Sequence, residues 1–411
     1  MSSDFAKNVM KLASATAVAQ LITFLTSTIT SRLFSTEDFG YLSVFTSIST
    51  VVAVLATGRY EFAILREEKG RVGSIVYLIC ILSVVSSLFS LVVAIAVWGY
   101  KGEGEGWGVT IFFAVSIFSL GSYQAFYYWL NRLKKYSVLS LSRIYGAVLA
   151  AIFPIGAGFM GFGYEGLVFG SVAAQFGVSV LLYFALKSLF VMKRLDWPEI
   201  SEVAIEFKNY PRFMIVSGVM ERCSSQAHLL IIAAMGDVGA TGLIGMFERV
   251  VSVPQRLLST SIGDVFKQAA SELIVKNGEC RELFLKTTRR LLSLAVLPFL
   301  VLVVIGPELF SFVFGEAWRE AGVIGRLLAL KFFFGFVVTP VSSVIFIGQG
   351  QRYEFFLQFF LFVFAPVSVV LGQYFFGVKG AVALYALVYA VKYSVEYWIA
   401  WGISNGRLSV Q

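Results

Sequence analysis

Long apolar runs alternate with short polar connections along the whole chain. Windows of about 20 apolar residues are the length a helix needs to cross a hydrocarbon core of about 30 Å. They fall at 9–33, 39–58, 72–98, 109–130, 138–160 and 166–190, and again at 211–235, 240–264, 287–305, 322–347, 353–375 and 380–402. The pattern predicts an all-α polytopic membrane protein with about 12 transmembrane helices. Residues 1–190 form a first six-helix lobe, 191–210 a cytoplasmic linker and 211–411 a second six-helix lobe. The shortest connection in this scheme surrounds Asp237. Lys7 and Lys11 ahead of the first run resemble the start of a signal peptide. The run is too long for that and no small-residue cleavage site follows, so it reads as an uncleaved span.

Two short likenesses relate the halves. Phe162-Gly-Tyr-Glu-Gly-Leu-Val resembles Phe376-Gly-Val-Lys-Gly-Ala-Val, and Phe39-Gly-Tyr-Leu resembles Thr241-Gly-Leu-Ile. Each pair sits at equivalent places in six-span halves. Parallel repeats of that kind hold substrate between them near the bilayer midplane.

Composition sharpens the class. The chain is 58% hydrophobic and only 14% charged, with a mean hydropathy of +0.80. Soluble domains carry about 25% charged residues, so this much apolar surface needs a bilayer to cover it. The net charge of +8 does not signal nucleic acid, because the cations cluster between apolar runs, where anionic lipid is the partner. One set of connections holds Arg66, Lys69, Arg71, Arg132, Lys134, Lys135, Lys193, Arg194, Lys267, Lys276, Arg289, Arg290, Arg352 and Arg407 among others. The opposite set holds only Arg32, Lys101, Arg319, Arg326 and Lys379. The first set therefore faces the cytoplasm, with both termini inside.

No catalytic constellation is present. Cys80, Cys223 and Cys280 have neither disulfide nor metal spacing and read as two small apolar side chains and a loop thiol. Gly102-Glu-Gly-Glu-Gly106 is a flexible outward loop whose carboxylates would repel phosphate. There is no P-loop for ATP and no cofactor motif, so the chain is read as a transporter and not an enzyme.

Ionisable residues inside spans cost about 2.5–3.5 kcal/mol each and mark cavities or partners. The seventh span carries Glu221, Arg222 and His228; the eighth carries Glu248, Arg249 and Arg256. Lys331 lies in the tenth, Lys392 and Glu396 in the twelfth, and Arg59 and Glu61 close the second. Arg222 lies about 17 Å into its span, and Arg249 at a similar depth on the neighbouring helix. Glu221 and Glu248 read either as crossed ion pairs locking those helices or as coupling groups. Arg249, Arg256 and Lys331 are left as surplus cations, suited to a water-filled cavity that receives an anionic headgroup. Arginine fits a diphosphate because its planar fork donates two hydrogen bonds at once.

His228, the one histidine, reads either as a hydrogen-bonded packing residue or as a proton-coupling switch. Lys392 and Glu396 are spaced to satisfy each other. Tyr123, Tyr127, Tyr128 and Trp129 read as an interfacial aromatic belt, with sugar stacking as the alternative. Pro154, Pro254, Pro298, Pro340 and Pro366 mark candidate kinks, and Pro254, between Arg249 and Arg256, is the candidate hinge.

Several segments resemble the oligosaccharide flippases of the multidrug/oligosaccharidyl-lipid/polysaccharide exporter superfamily. They are Arg59-Tyr-Glu-Phe-Ala-Ile, Gly242-Leu-Ile-Gly-Met-Phe-Glu-Arg-Val with Val253-Pro-Gln-Arg-Leu-Leu, and Ile262-Gly-Asp-Val-Phe-Lys-Gln-Ala-Ala. The most specific is Gly306-Pro-Glu-Leu-Phe-Ser-Phe-Val-Phe-Gly-Glu-Ala-Trp-Arg-Glu-Ala-Gly. The resemblance implies two six-helix lobes around a central cavity working by alternating access in a bacterial inner membrane. It implies a polyprenyl-diphosphate-linked oligosaccharide as substrate, moved outward for surface polysaccharide such as the O-antigen of lipopolysaccharide. Polysaccharide polymerase machinery is the implied protein partner. Cavity cations serve the diphosphate in such proteins, and the matching positions here are Arg59, Arg249 and Arg256. The first span departs from the more basic pattern of some relatives. A drug/cation antiporter of the same fold is the alternative, although its first-span carboxylate is missing here. A membrane scaffold is a third reading, disfavoured by the midplane charges.

Overall fold

The structure, a computed structural model, describes residues 3–101, 107–189, 196–347 and 350–406. The side chains of 3–11, 96–101, 107, 189, 253–258, 260–261 and 351 lie outside that description. So do the glycine loop Gly102–Gly106, linker residues 191–195, and the side chains of Lys7, Lys11, Pro254, Arg256 and Arg407. The chain forms two compact units, Met1–Arg222 and Cys223–Gln411.

The first unit contains α1 (Ser3–Leu33), α2 (Thr36–Thr57), α3 (Glu61–Arg66), α4 (Val72–Lys101), α5 (Trp107–Arg132), α6 (Tyr136–Phe159), α7 (Tyr164–Leu189) and α8 (Trp197–Glu206). Ser35 and Asp38 set the start of α2 with a capping box: the Ser35 hydroxyl accepts from the Asp38 N–H at 3.1 Å and the Asp38 carboxylate accepts from the Ser35 N–H at 2.9 Å. Gly58, at φ 57°, ends it in the left-handed region. Helix α1 packs on α6, α6 on α7, and α5 on both α4 and α7. Pro154 inside α6 is buried against Gly170 of α7, where a Cβ would come within 2.6 Å of the proline ring.

Helix α8 falls within the expected linker and is fastened to the α3–α4 turn. Ile200 and Val203 bury its apolar face, and the Tyr60 hydroxyl donates to the Ala204 carbonyl at 3.0 Å. Arg71 gathers three carboxylates: Glu202 at 3.0 Å, Glu67 at 3.3 Å, and Glu206. Lys69 reaches Glu206 at 3.1 Å and Ser74 donates to Glu199 at 2.7 Å. Hydrogen bonds to Arg71 and Lys69 hold the Glu206 carboxyl below the usual carboxylate range.

Helix α9 (Ile215–Ala234) follows a π-helical turn at Tyr210–Met214 and carries the chain from the first unit into the second. The second unit continues with α10 (Val238–Asn277), α11 (Arg281–Phe314), α12 (Arg319–Val341), α13 (Val344–Ile347) and α14 (Gln351–Ser404). Helix α11 breaks at Ile305, with φ −115° and ψ 15°. The break lies just before Pro307, whose missing N–H leaves the Val303 carbonyl without its helical donor, while the backbone stays helical at the candidate kink Pro298. Gly306 and Gly322 then let α11 and α12 touch backbone to backbone: a Cβ on Gly322 would lie 2.5 Å from Gly306. Within α14 the chain reverses at Gly377, φ 66° and ψ −165°. Gly372 faces Ala381 so closely that a Cβ would lie 2.5 Å from its Cα. The arms 351–376 and 378–404 are therefore antiparallel, matching the two last expected spans. Cys280, expected as a loop thiol, is buried, and its N–H donates to the Ser404 carbonyl at 2.9 Å, tying α11 to the end of α14.

Among the described residues nine helices are long and apolar enough to cross a membrane, α14 counting once. The second arm of α14, together with the charge-bearing α9 and α10, brings the spans to about 12. Helix α10 runs 40 residues, beyond the expected end at 264, and closes at Gly278, whose φ of 75° takes the chain into the left-handed region.

Candidate functional site

In the first unit the site residue Arg59 occupies an unusual backbone. It follows Gly58 and itself has φ 59°, a region that costs a side-chain-bearing residue about 1–3 kcal/mol. That turn aims its guanidinium 3.8 Å from Glu61 and 5.9 Å from the Phe62 ring. The guanidinium also lies against the backbone of Gly218 on α9, where a Cβ would come within 2.8 Å of Cζ. Glu61 is buried, and burial pushes its carboxyl above the usual range against the pull of Arg59.

The sequence reading missed Arg143, on α6. Its guanidinium donates to the Thr16 hydroxyl on α1 and, at 3.1 Å, to the Tyr127 hydroxyl on α5. Both partners are neutral, and among the described residues no carboxylate lies within ion-pair distance. The signal was present in the sequence: one arginine interrupts the apolar run 138–160. The tyrosines expected as an interfacial belt lie beside it. Tyr123 and Tyr127 have ring centres 5.6 Å apart, Tyr127 and Tyr128 6.0 Å, and Tyr128 meets Phe62 at 5.6 Å.

In the second unit Glu248 is the centre of a buried cluster drawn from four helices. Lys331 Nζ of α12 lies 2.9 Å from Glu248 Oε1 of α10, and His228 Nε2 of α9 lies 3.2 Å from the same oxygen. Lys331 also donates to the Tyr385 hydroxyl of α14 at 3.3 Å, and that hydroxyl donates to the Ser225 carbonyl at 3.1 Å. The His228 ring stacks on Tyr385 at 4.2 Å. Phe332, Tyr385 and Tyr389 surround the ammonium at 5.1, 4.8 and 5.0 Å. Lys331 is therefore not a surplus cation, because Glu248 turns to it across the helix bundle. The expected link between neighbouring spans left this partner out, since 83 residues separate the two. Lys392 and Glu396 pair as their spacing predicts, at 2.6 Å.

Glu221 and Arg222 are exposed on α9, and Arg249 is half-buried on α10. Arg256 lies on α10 with its side chain outside the described residues. Among the described residues no group of three His, Cys, Asp or Glu side chains is placed to hold a metal ion.

Residues 29–323 match the model of a family described as "Polysaccharide biosynthesis protein". The chain belongs to that family. No curated protein matches. Solved structures share the fold across nearly the whole chain. An inward-facing multidrug resistance MATE family transporter of the MOP superfamily is 15% identical, with 94% of this chain and 95% of that one covered and a TM-score of 0.72. Lipid II flippase MurJ in an inward closed conformation is 12% identical, with 96% and 90% covered and a TM-score of 0.73. The Vibrio cholerae MATE transporter VcmN in its bent form is 16% identical, with 100% and 99% covered and a TM-score of 0.59. At these identities the likeness is one of fold: this member of the polysaccharide biosynthesis family has the all-α fold of MOP-superfamily transporters.

Proposed function

We propose that the protein is a flippase that moves a polyprenyl-diphosphate-linked oligosaccharide from the cytoplasmic to the outer leaflet by alternating access, supplying surface polysaccharide of the O-antigen type. The observation that carries the reading is Arg143: a guanidinium within a span, held by two hydroxyls, with no carboxylate in ion-pair distance among the described residues. A bare cation at that depth is costly unless an anion comes to it. Arg59, held in a left-handed turn, adds a second guanidinium in the same unit, and Arg222, Arg249 and Arg256 supply further positive charge for a diphosphate. The family description, polysaccharide biosynthesis, agrees with a sugar cargo.

The drug/cation antiporter reading shares the fold. It is disfavoured by Lys331, whose ammonium already neutralises the Glu248 carboxylate and leaves that acid no charge to offer a cation. The dense basic connections support a cytoplasmic placement of both termini in a bacterial inner membrane. Polymerase machinery would receive the product on the outer face.

Depleting the protein in its own cells should accumulate oligosaccharide-diphosphate lipid that is reachable only from the cytoplasmic leaflet. Normal outer-leaflet delivery after depletion, with loss of resistance to cationic drugs, would favour the antiporter.

A further inference from the structure

Four aromatic rings of the first unit run as one strip between two guanidinium groups. Arg59 lies over Phe62, Phe62 meets Tyr128 edge-on with 68° between planes, and Tyr128 meets Tyr127 with 73° between planes. Tyr127 leads to Tyr123 on one side and to Arg143 through its hydroxyl on the other. All six residues are half-buried, so each keeps part of its surface open. An interfacial belt presents separate rings to lipid headgroups. Here the rings pack on one another, and the Tyr127 hydroxyl is turned to an arginine.

Arg143 lies about 10 Å into α6 from Tyr136. A guanidinium at that depth faces water, ligand or protein, not lipid, and the Tyr127 hydroxyl joins it to the strip. Of the five N–H donors on the guanidinium, two go to Thr16 and Tyr127, leaving the rest for the oxygens of a phosphate.

Resting on the flippase reading, we infer that Phe62, Tyr128, Tyr127 and Tyr123 form a saccharide-binding strip, with the adjoining phosphate held by Arg143. Pyranose rings present faces of C–H bonds that pack on aromatic surface, and such packing tolerates changes of hydroxyl configuration. The strip therefore binds the first sugars next to the diphosphate whatever the repeat unit beyond them.

The test uses the full chain in detergent with two soluble probes, farnesyl diphosphate and farnesyl diphosphate carrying one N-acetylglucosamine. The wild type should bind the sugar-bearing probe about tenfold more tightly. Tyr128→Leu with Phe62→Leu should abolish that increment, so that the two probes bind alike, and Tyr128→Phe should retain it. Arg143→Gln should weaken both probes. An increment that is absent in the wild type, or that survives in the double leucine variant, would overturn the strip. Flipping by the wild type in proteoliposomes, measured in parallel, separates the two claims: flipping without a sugar increment removes the strip and spares the flippase, whereas its absence removes both.

Discussion

The Lys331 ammonium, on α12, lies 2.9 Å from the Glu248 carboxylate, on α10, inside a cage of Phe332, Tyr385 and Tyr389. Both side chains are mostly buried, at 14% and 20% exposure. Such a pair adds little net stability over an apolar one, but breaking it leaves an uncompensated charge. Glu248→Gln should therefore destabilise the second unit by about 3–5 kcal/mol. Glu248→Gln combined with Lys331→Met should recover much of the loss. Thermal unfolding in detergent checks this, and additive losses in the double variant would mean that the two residues are not coupled.

Gly218 shapes the site in the first unit. The Arg59 guanidinium occupies the space that a Cβ at 218 would need. Because the clash is with the end of a flexible side chain, Gly218→Ala should leave folding intact and displace Arg59. Transport should fall several-fold at equal protein level. Full activity in this variant would show that the position of Arg59 does not matter.

Helix α8 should release in acid. Glu206 titrates below the unfolded carboxylate value of about 4.3. Its contribution is thus fully present above that value and is lost as pH falls through the lower folded one. Arg71 stays charged throughout and moves nothing in this window. Hydrogen exchange over 197–206 should be slow at pH 7 and speed up, beyond the intrinsic change, as the pH falls below the ordinary carboxylate range. Glu206→Gln should raise exchange already at pH 7. Equal protection in the variant would assign the fastening of α8 to Ile200 and Val203 alone.

How much of this was legible in the sequence depends on the range of the cause. The span pattern was readable because burial in lipid acts on each run of about 20 residues separately. The reversal at Gly377 was readable as the break between two such runs. Lys392 with Glu396 followed from helical spacing. Lys331 with Glu248 did not, since only the packed bundle brings α12 to α10. Helix α8 was hidden because its ten residues carry three carboxylates, which read as a polar linker until Arg71 collects two of them. Arg143 was visible as an interruption of its apolar run, but Thr16 and Tyr127 lie far from it in sequence. The strip joining Tyr127 to Arg59 was likewise unreadable, because α3 and α5 meet only in the fold.

Arg249, half-buried on α10, is proposed to meet the diphosphate. Arg249→Ala should abolish transport without loss of protein from the membrane, and Arg249→Lys should restore it only in part, because lysine cannot donate in a two-pronged fork. Normal transport by the alanine variant at matched expression would remove Arg249 from the site.

The central claim is that an anionic, sugar-bearing lipid crosses this protein. Its most direct test is transport of a lipid-linked oligosaccharide in proteoliposomes, wild type beside Arg143→Gln at equal reconstitution. The sugar should reach the opposite leaflet with the wild type and do so about a hundredfold more slowly with the variant, a loss of about 2.7 kcal/mol. Transport of a cationic dye by both proteins, with no movement of the oligosaccharide by either, would contradict it.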